Sequence, residues 1–169
     1  MTSREAPFGL DLSIEVFDRA TRLANDMFSN AGASIILVHQ GQVWRSRYAE
    51  MLPTEDPFTE SVLRDGELIW IGDGRADPRY ADHPLVTGPP YLRFTVAVPI
   101  RLADGTTPGV LSVSGLDPHP YDARKAARLK DIADFVADEW QRAQAVAALA
   151  RALAERDQAL ERIERSERR

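Results

Sequence analysis

The chain has 169 residues, 44% of them apolar, enough for one buried core with an appendage, and a formal charge of -5 from 26 acidic and 21 basic residues. That balance offers no general attraction to phosphate backbones or anionic membranes, so nucleic acid is not an expected partner. With no cysteine, disulfides, thiolate metal sites, cysteine nucleophiles and thioether-linked chromophores are excluded, a pattern that fits a cytoplasmic protein.

From Ser13 to Ser29 apolar residues recur at Ile14, Phe17, Ala20, Ala24, Met27 and Phe28, which predicts a helix capped by Asp11 or Ser13 and ended by Asn30 and Gly32. Two β-rich runs around Gln40 and Gly41 predict a hairpin, with strands near 33 to 39 and 42 to 48. A short helix in PFTESVLRDG, capped by Thr54 or Asp56, precedes a third strand in ELIWIG. Residues 72 to 92, interrupted by prolines and glycines, then form a long connection, and long connections in compact domains often serve as lids or binding segments. Strands return as RFTVAVPIRL and PGVLSVSG around an Asp104-Gly105 turn, apolar at nearly every position, so both are expected at the centre of the sheet with each face covered. Beyond Tyr121 neither glycine nor proline occurs, and a terminal helix of about fifty residues is predicted. No stretch of about 18 uncharged apolar residues is present, so neither a signal peptide nor a membrane-inserted helix is expected.

This order of elements resembles the GAF domain. The resemblance is most specific over residues 77 to 122, at Asp77 to Ala81, Pro84 to Val86, Pro89 to Phe94, and Gly105 with Gly109, Val110 and Leu111. It implies an α+β fold, a central antiparallel sheet flanked by helices, covering roughly residues 10 to 140. It further implies a sensory or dimerising module of a bacterial signalling protein, upstream of a histidine kinase or a cyclic-di-GMP enzyme. Cysteine-linked bilin binding is excluded, and the Asn-Lys-Phe-Asp/Glu signature of cyclic-nucleotide-binding members is missing, so no ligand or cofactor is named.

The expected organisation is an N-terminal arm at 1 to 12, the GAF-like domain at 13 to 142, and a coiled-coil signalling helix at 143 to 169 that leads to an output or PAS domain. Candidate ligand contacts are Trp70, Asp77, Tyr80, Tyr91 and Arg93, which combine aromatic walls with hydrogen-bonding groups. Each also has a structural reading: Asp77 before Pro78 builds a turn, and Arg93 pairs with a loop carboxylate. Val146, Leu149, Leu153, Leu160 and Ile163 fall on heptad a and d positions, with Arg156 interrupting at one d, and predict pairing with a second copy. His39, His83 and His119 lack metal-ligand spacing, and no phosphate loop, dinucleotide fingerprint or nucleophile-base set occurs, so no catalysis is expected.

Overall fold

The computed structural model describes residues 7–10, 12–46 and 57–167. A turn of 3-10 helix (Pro7–Gly9) leads to α1 (Ile14–Asn25), β1 (Ala31–His39), β2 (Gln42–Arg45), α2 (Pro57–Asp65), β3 (Ile69–Ile71), α3 (Pro84–Thr87), β4 (Phe94–Ile100), β5 (Gly109–Gly115) and α4 (Ala123–Glu167). Thr54 and Asp56, named above as cap candidates, lie outside the described residues, as does Asp11.

The strands form one five-stranded antiparallel sheet in the order β2-β1-β5-β4-β3. The two runs that are apolar at nearly every position, β4 and β5, are therefore interior strands, as continuous burial on both faces requires. At the β1-β2 turn Gln40 and Gly41 both take positive φ, 49° and 77°, the conformation whose twist suits a two-residue hairpin. Gly109 belongs in β5 because a Cβ there would collide with the Ile36 carbonyl of the paired strand.

The register assigns each face. Trp70, Val96, Val113 and Ala33 share one face, and Ile69, Ala97, Ser112 and Ser34 share the other. On the first face α1 and α4 lie over the sheet. Phe17, Ala20 and Ala24 of α1 and Leu129, Ala133, Val136 and Trp140 of α4 form one core with Ile35, Leu37, Val96, Val98 and Leu111. Full burial of the Phe, Leu, Ile and Val side chains among them stabilises the fold by about 1.5–3 kcal/mol each. On the second face α2 sets Val62 against Ala97 and Val110.

Three expectations shift. Helix α1 stops at Asn25 and not near Ser29, because the Phe28 amide donates to the Asn25 carbonyl and the chain tightens into turns that still bury Phe28. Ser13 is its cap, accepting from the Glu15 amide at 3.2 Å. Gly32 does not end the helix but lies inside β1, and Asn30, with φ of 50°, makes the reversal. Strand β2 ends at Arg45, short of the expected 48, and residues 47 and 48 lie outside the described range.

Candidate functional site

The connection from 72 to 92 is built from aspartate-led turns. Asp73 Oδ1 accepts from the Arg75 amide at 3.1 Å and Asp77 Oδ1 from the Arg79 amide at 3.0 Å, so each carboxylate fixes the backbone two residues on. His83 Nδ1 then caps α3, accepting from the Leu85 amide at 3.2 Å, with Pro84 supplying the preset φ of a first helical position. This short helix drives Leu85 and Val86 inward, and Leu85 joins Phe58, Ile71 and Leu92 beneath the loop.

Arg93 stands where the loop enters β4, and its guanidinium donates from Nε and Nη2 to the two Asp73 oxygens, at 2.8 and 2.7 Å. The hydrogen bonds from Arg93 hold the Asp73 carboxyl below the usual carboxylate range, against the opposing cost of partial burial. Asp77 is paired separately, with Arg79 at 3.0 and 2.7 Å, and hydrogen bonds from that guanidinium lower its carboxyl in turn. The loop acid that meets Arg93 is thus Asp73.

The five candidate contacts do not converge. Asp77 and Tyr80 sit in one turn, with the Tyr80 ring 4.4 Å from that of Phe58 and the Arg79 guanidinium 5.1 Å from the Tyr80 centroid. Tyr91 is half exposed at φ of 62°, a conformation costly for a bulky side chain. Trp70 faces the opposite side of the sheet, against Phe28, Phe94 and Tyr121, and its Nε1 donates to the His119 carbonyl at 2.9 Å. The strand parity that sends Ile69 and Ile71 under the loop sends Trp70 away from it.

Sequence reasoning passed over the floor of the second face. Ser34 and Ser112, 78 positions apart, meet hydroxyl to hydroxyl at 2.8 Å, both buried. Beside them Thr95 donates to the Phe94 carbonyl, so in the 3.0 Å contact between Thr95 and Ser114 the serine is the donor. Only one hydrogen can lie in the Ser34-Ser112 bond, so the other hydroxyl hydrogen of the pair lies outside it. The second face is thus divided between an apolar cluster under the loop and a hydroxyl floor across β1, β5 and β4. The three histidines have local roles: His83 as cap, His119 with Nε2 3.1 Å from the Ser29 carbonyl, and His39 between the rings of Phe8 and Trp140.

Helix α4 divides at Ala143, the last buried residue of the stripe that runs back to Leu129. Val146, Leu149, Leu153, Leu160 and Ile163 are all exposed. Phe135, also exposed, stands fourteen positions before Leu149, two heptads back in the same register. It lines a groove of about 480 Å³ with Ser13, Val16, Arg19 and Arg22 of the neighbouring α1 region. Between Phe135 and Val146 the same register falls on Glu139 and Arg142, which pair with each other at 2.7 Å, so the continuous apolar stripe starts at Val146.

Residues 13–141 match the family model described as GAF domain. A cyclic di-GMP phosphodiesterase of Pseudomonas aeruginosa is 32% identical over 127 residues, 72% of this chain and 22% of that relative, so the chain spans about a fifth of the length of the curated relative it matches. Among solved structures, a domain named for a two-component sensor histidine kinase of Sinorhizobium meliloti is similar at TM-score 0.58 and 16% identity, covering 80% of this chain and 95% of that one. A type II free methionine-R-sulfoxide reductase of Thermoplasma acidophilum is similar at TM-score 0.56 and 12% identity, covering 76% and 94%. At these identities the structures establish a shared fold.

Proposed function

The chain belongs to the GAF domain family, and from that premise we propose that it is a sensory domain without catalysis of its own, which pairs with a second copy and relays a signal along α4 to an output module in the same protein. The observation that carries this reading is the division of α4. Its first half is core, whereas its second half presents an apolar heptad stripe that nothing in the folded domain covers. An exposed helix of this length gains little from intrinsic propensity, and a partner helix supplies the missing packing.

A small-molecule ligand is proposed on the second face, between the loop at 72 to 92 and the sheet, where the Tyr80 ring offers an aromatic wall. Against a ligand stands the packing of Phe58, Ile71, Leu85 and Leu92, which fills the space under the loop with side chains and favours the alternative of a ligand-free dimerisation module. The reductase of similar fold raises an enzymatic reading, but this chain has no cysteine, and among the described residues no group of three or more metal-type ligands gathers. The output is proposed to be a histidine kinase or a cyclic-di-GMP enzyme, in keeping with the relatives named above.

Light scattering tests the assembly. The parent should run as two chains and Leu153→Glu/Leu160→Glu as one, since the substitutions place charges in a buried seam; an unchanged dimer moves the interface elsewhere. A thermal-shift screen tests the ligand, because binding to the folded state raises the midpoint. A hit that stabilises Tyr80→Ala and Arg93→Ala as much as the parent places its site elsewhere. Turnover that disappears on replacing a loop residue would overturn the non-catalytic reading.

A further inference from the structure

Between the loop and the start of α4 lies a set of contacts centred on His119. The seven residues 116–122 join β5 to α4, and His119 sits at their centre. Both backbone polar groups of His119 are taken by β3 and the loop: its amide donates to the Gly72 carbonyl at 2.9 Å, and its carbonyl accepts from Trp70 Nε1 at 2.9 Å. The approach is close enough that a Cβ on Gly72 would stand 3.0 Å from the His119 carbonyl oxygen, so the glycine is what allows the two segments to touch. The imidazole is wedged edge-on against Phe94 and Phe28, with centroids 4.7 and 5.4 Å away.

On its other side the same short segment is tied to the sheet. The Gly74 amide donates to the Arg93 carbonyl at 2.6 Å, and Asp73 holds the Arg93 guanidinium by two bonds. Three residues beyond His119, Asp122 opens α4, accepting from the amides of Arg124 and Lys125 at 2.9 and 3.1 Å. Residues 72–74 thus hold the entry of β4 at one end and the foot of α4 at the other.

We propose that residues 72–74 are a strap that couples the 72 to 92 loop to the first turn of α4: while Asp73 grips Arg93, Gly72 and Trp70 hold His119, and release of that grip loosens the linker and the Asp122 cap. The coupling runs both ways, since a free energy shared between two sites is reciprocal. It is a property of this chain alone and stands whether or not the loop takes a ligand, so its test is independent of the functional reading above.

Amide hydrogen exchange on the full chain tests it from both ends. Asp73→Asn should raise exchange at amides 116–126 by about tenfold or more, the scale set by losing one charge-assisted hydrogen-bonded pair. Trp70→Phe, which keeps a ring and removes the N–H, should raise exchange in residues 73–77. Arg79→Ala, which breaks the Asp77 pair without touching the strap, should leave 116–126 at the parent rate. If Asp73→Asn does not fold, Arg93→Lys, which keeps the charge and loses the two-pronged grip, carries the same arm. Changes confined to residues 72–93 in the loop variant, or to 116–126 in the tryptophan variant, overturn the coupling.

Discussion

The two faces of the sheet are stabilised by different chemistry. Toward α1 and α4 the strands present Leu37, Phe94, Val96, Val98, Ile100 and Leu111, and the helices answer with Phe17, Leu129 and Trp140. On the other face Ser34, Ser112, Thr95 and Ser114 pair hydroxyl to hydroxyl beside smaller apolar clusters built on Ile71, Ala97 and Val110. The first face carries the larger apolar cluster, and the second combines smaller apolar clusters with paired hydroxyls.

Three substitutions sharpen the contrast. Trp140→Ala, in the filled face, should cost about 3–5 kcal/mol in denaturant unfolding, because it empties the largest fully buried side-chain volume; a loss below about 1 kcal/mol would mean that this face is not the stabilising one. On the floor, Ser112→Ala should cost about 1–3 kcal/mol by leaving the buried Ser34 hydroxyl without its partner, while Ser34→Ala/Ser112→Ala should recover most of that loss. If the double variant is as weak as the single one, the pair is structural and not a reserve of hydrogen-bonding capacity.

The loop should show itself through acid. Hydrogen bonds from Arg93 keep the Asp73 carboxyl below its ordinary value, so the pair's contribution is fully present above the unfolded value of about 4 and is lost as pH falls through the folded one. Thermal midpoints of the parent should therefore drop more between pH 5 and pH 3, about the carboxylate range, than those of Asp73→Asn, and parallel curves would remove the pair from the stability balance. The smallest effect belongs to the exposed end of α4: Leu149→Ala should change the stability of the isolated domain by no more than about 0.5 kcal/mol, whatever it does to association.

Much of this arrangement is legible in the chain because it is local. The Gln40-Gly41 turn, the double-sided burial of β4 and β5 and the length of α4 follow from turn chemistry, apolar runs and the absence of breakers. Trp70 is different. In Ile69–Ile71 every residue is apolar, so alternation cannot say which side faces the loop, and only the register with β4 decides. The choice of Asp73 as partner of Arg93, and the meeting of Ser34 with Ser112, join segments 20 and 78 positions apart, and no spacing rule reaches that far. Helix α3 had a readable signal in Pro84 after a polar cap and before Gly88.

The unbroken run of α4 has a mechanical consequence. Its 45 residues, at a rise of about 1.5 Å each, make a rod of about 68 Å. With no glycine or proline to act as a joint, a tilt of about 5° at Ala143, where the buried stripe ends, would carry the far end, about 36 Å away, through about 3 Å, roughly half the pitch of one helical turn. In the proposed relay, a small displacement where the packed stripe ends would reach the tip enlarged in proportion to the length of exposed helix beyond it.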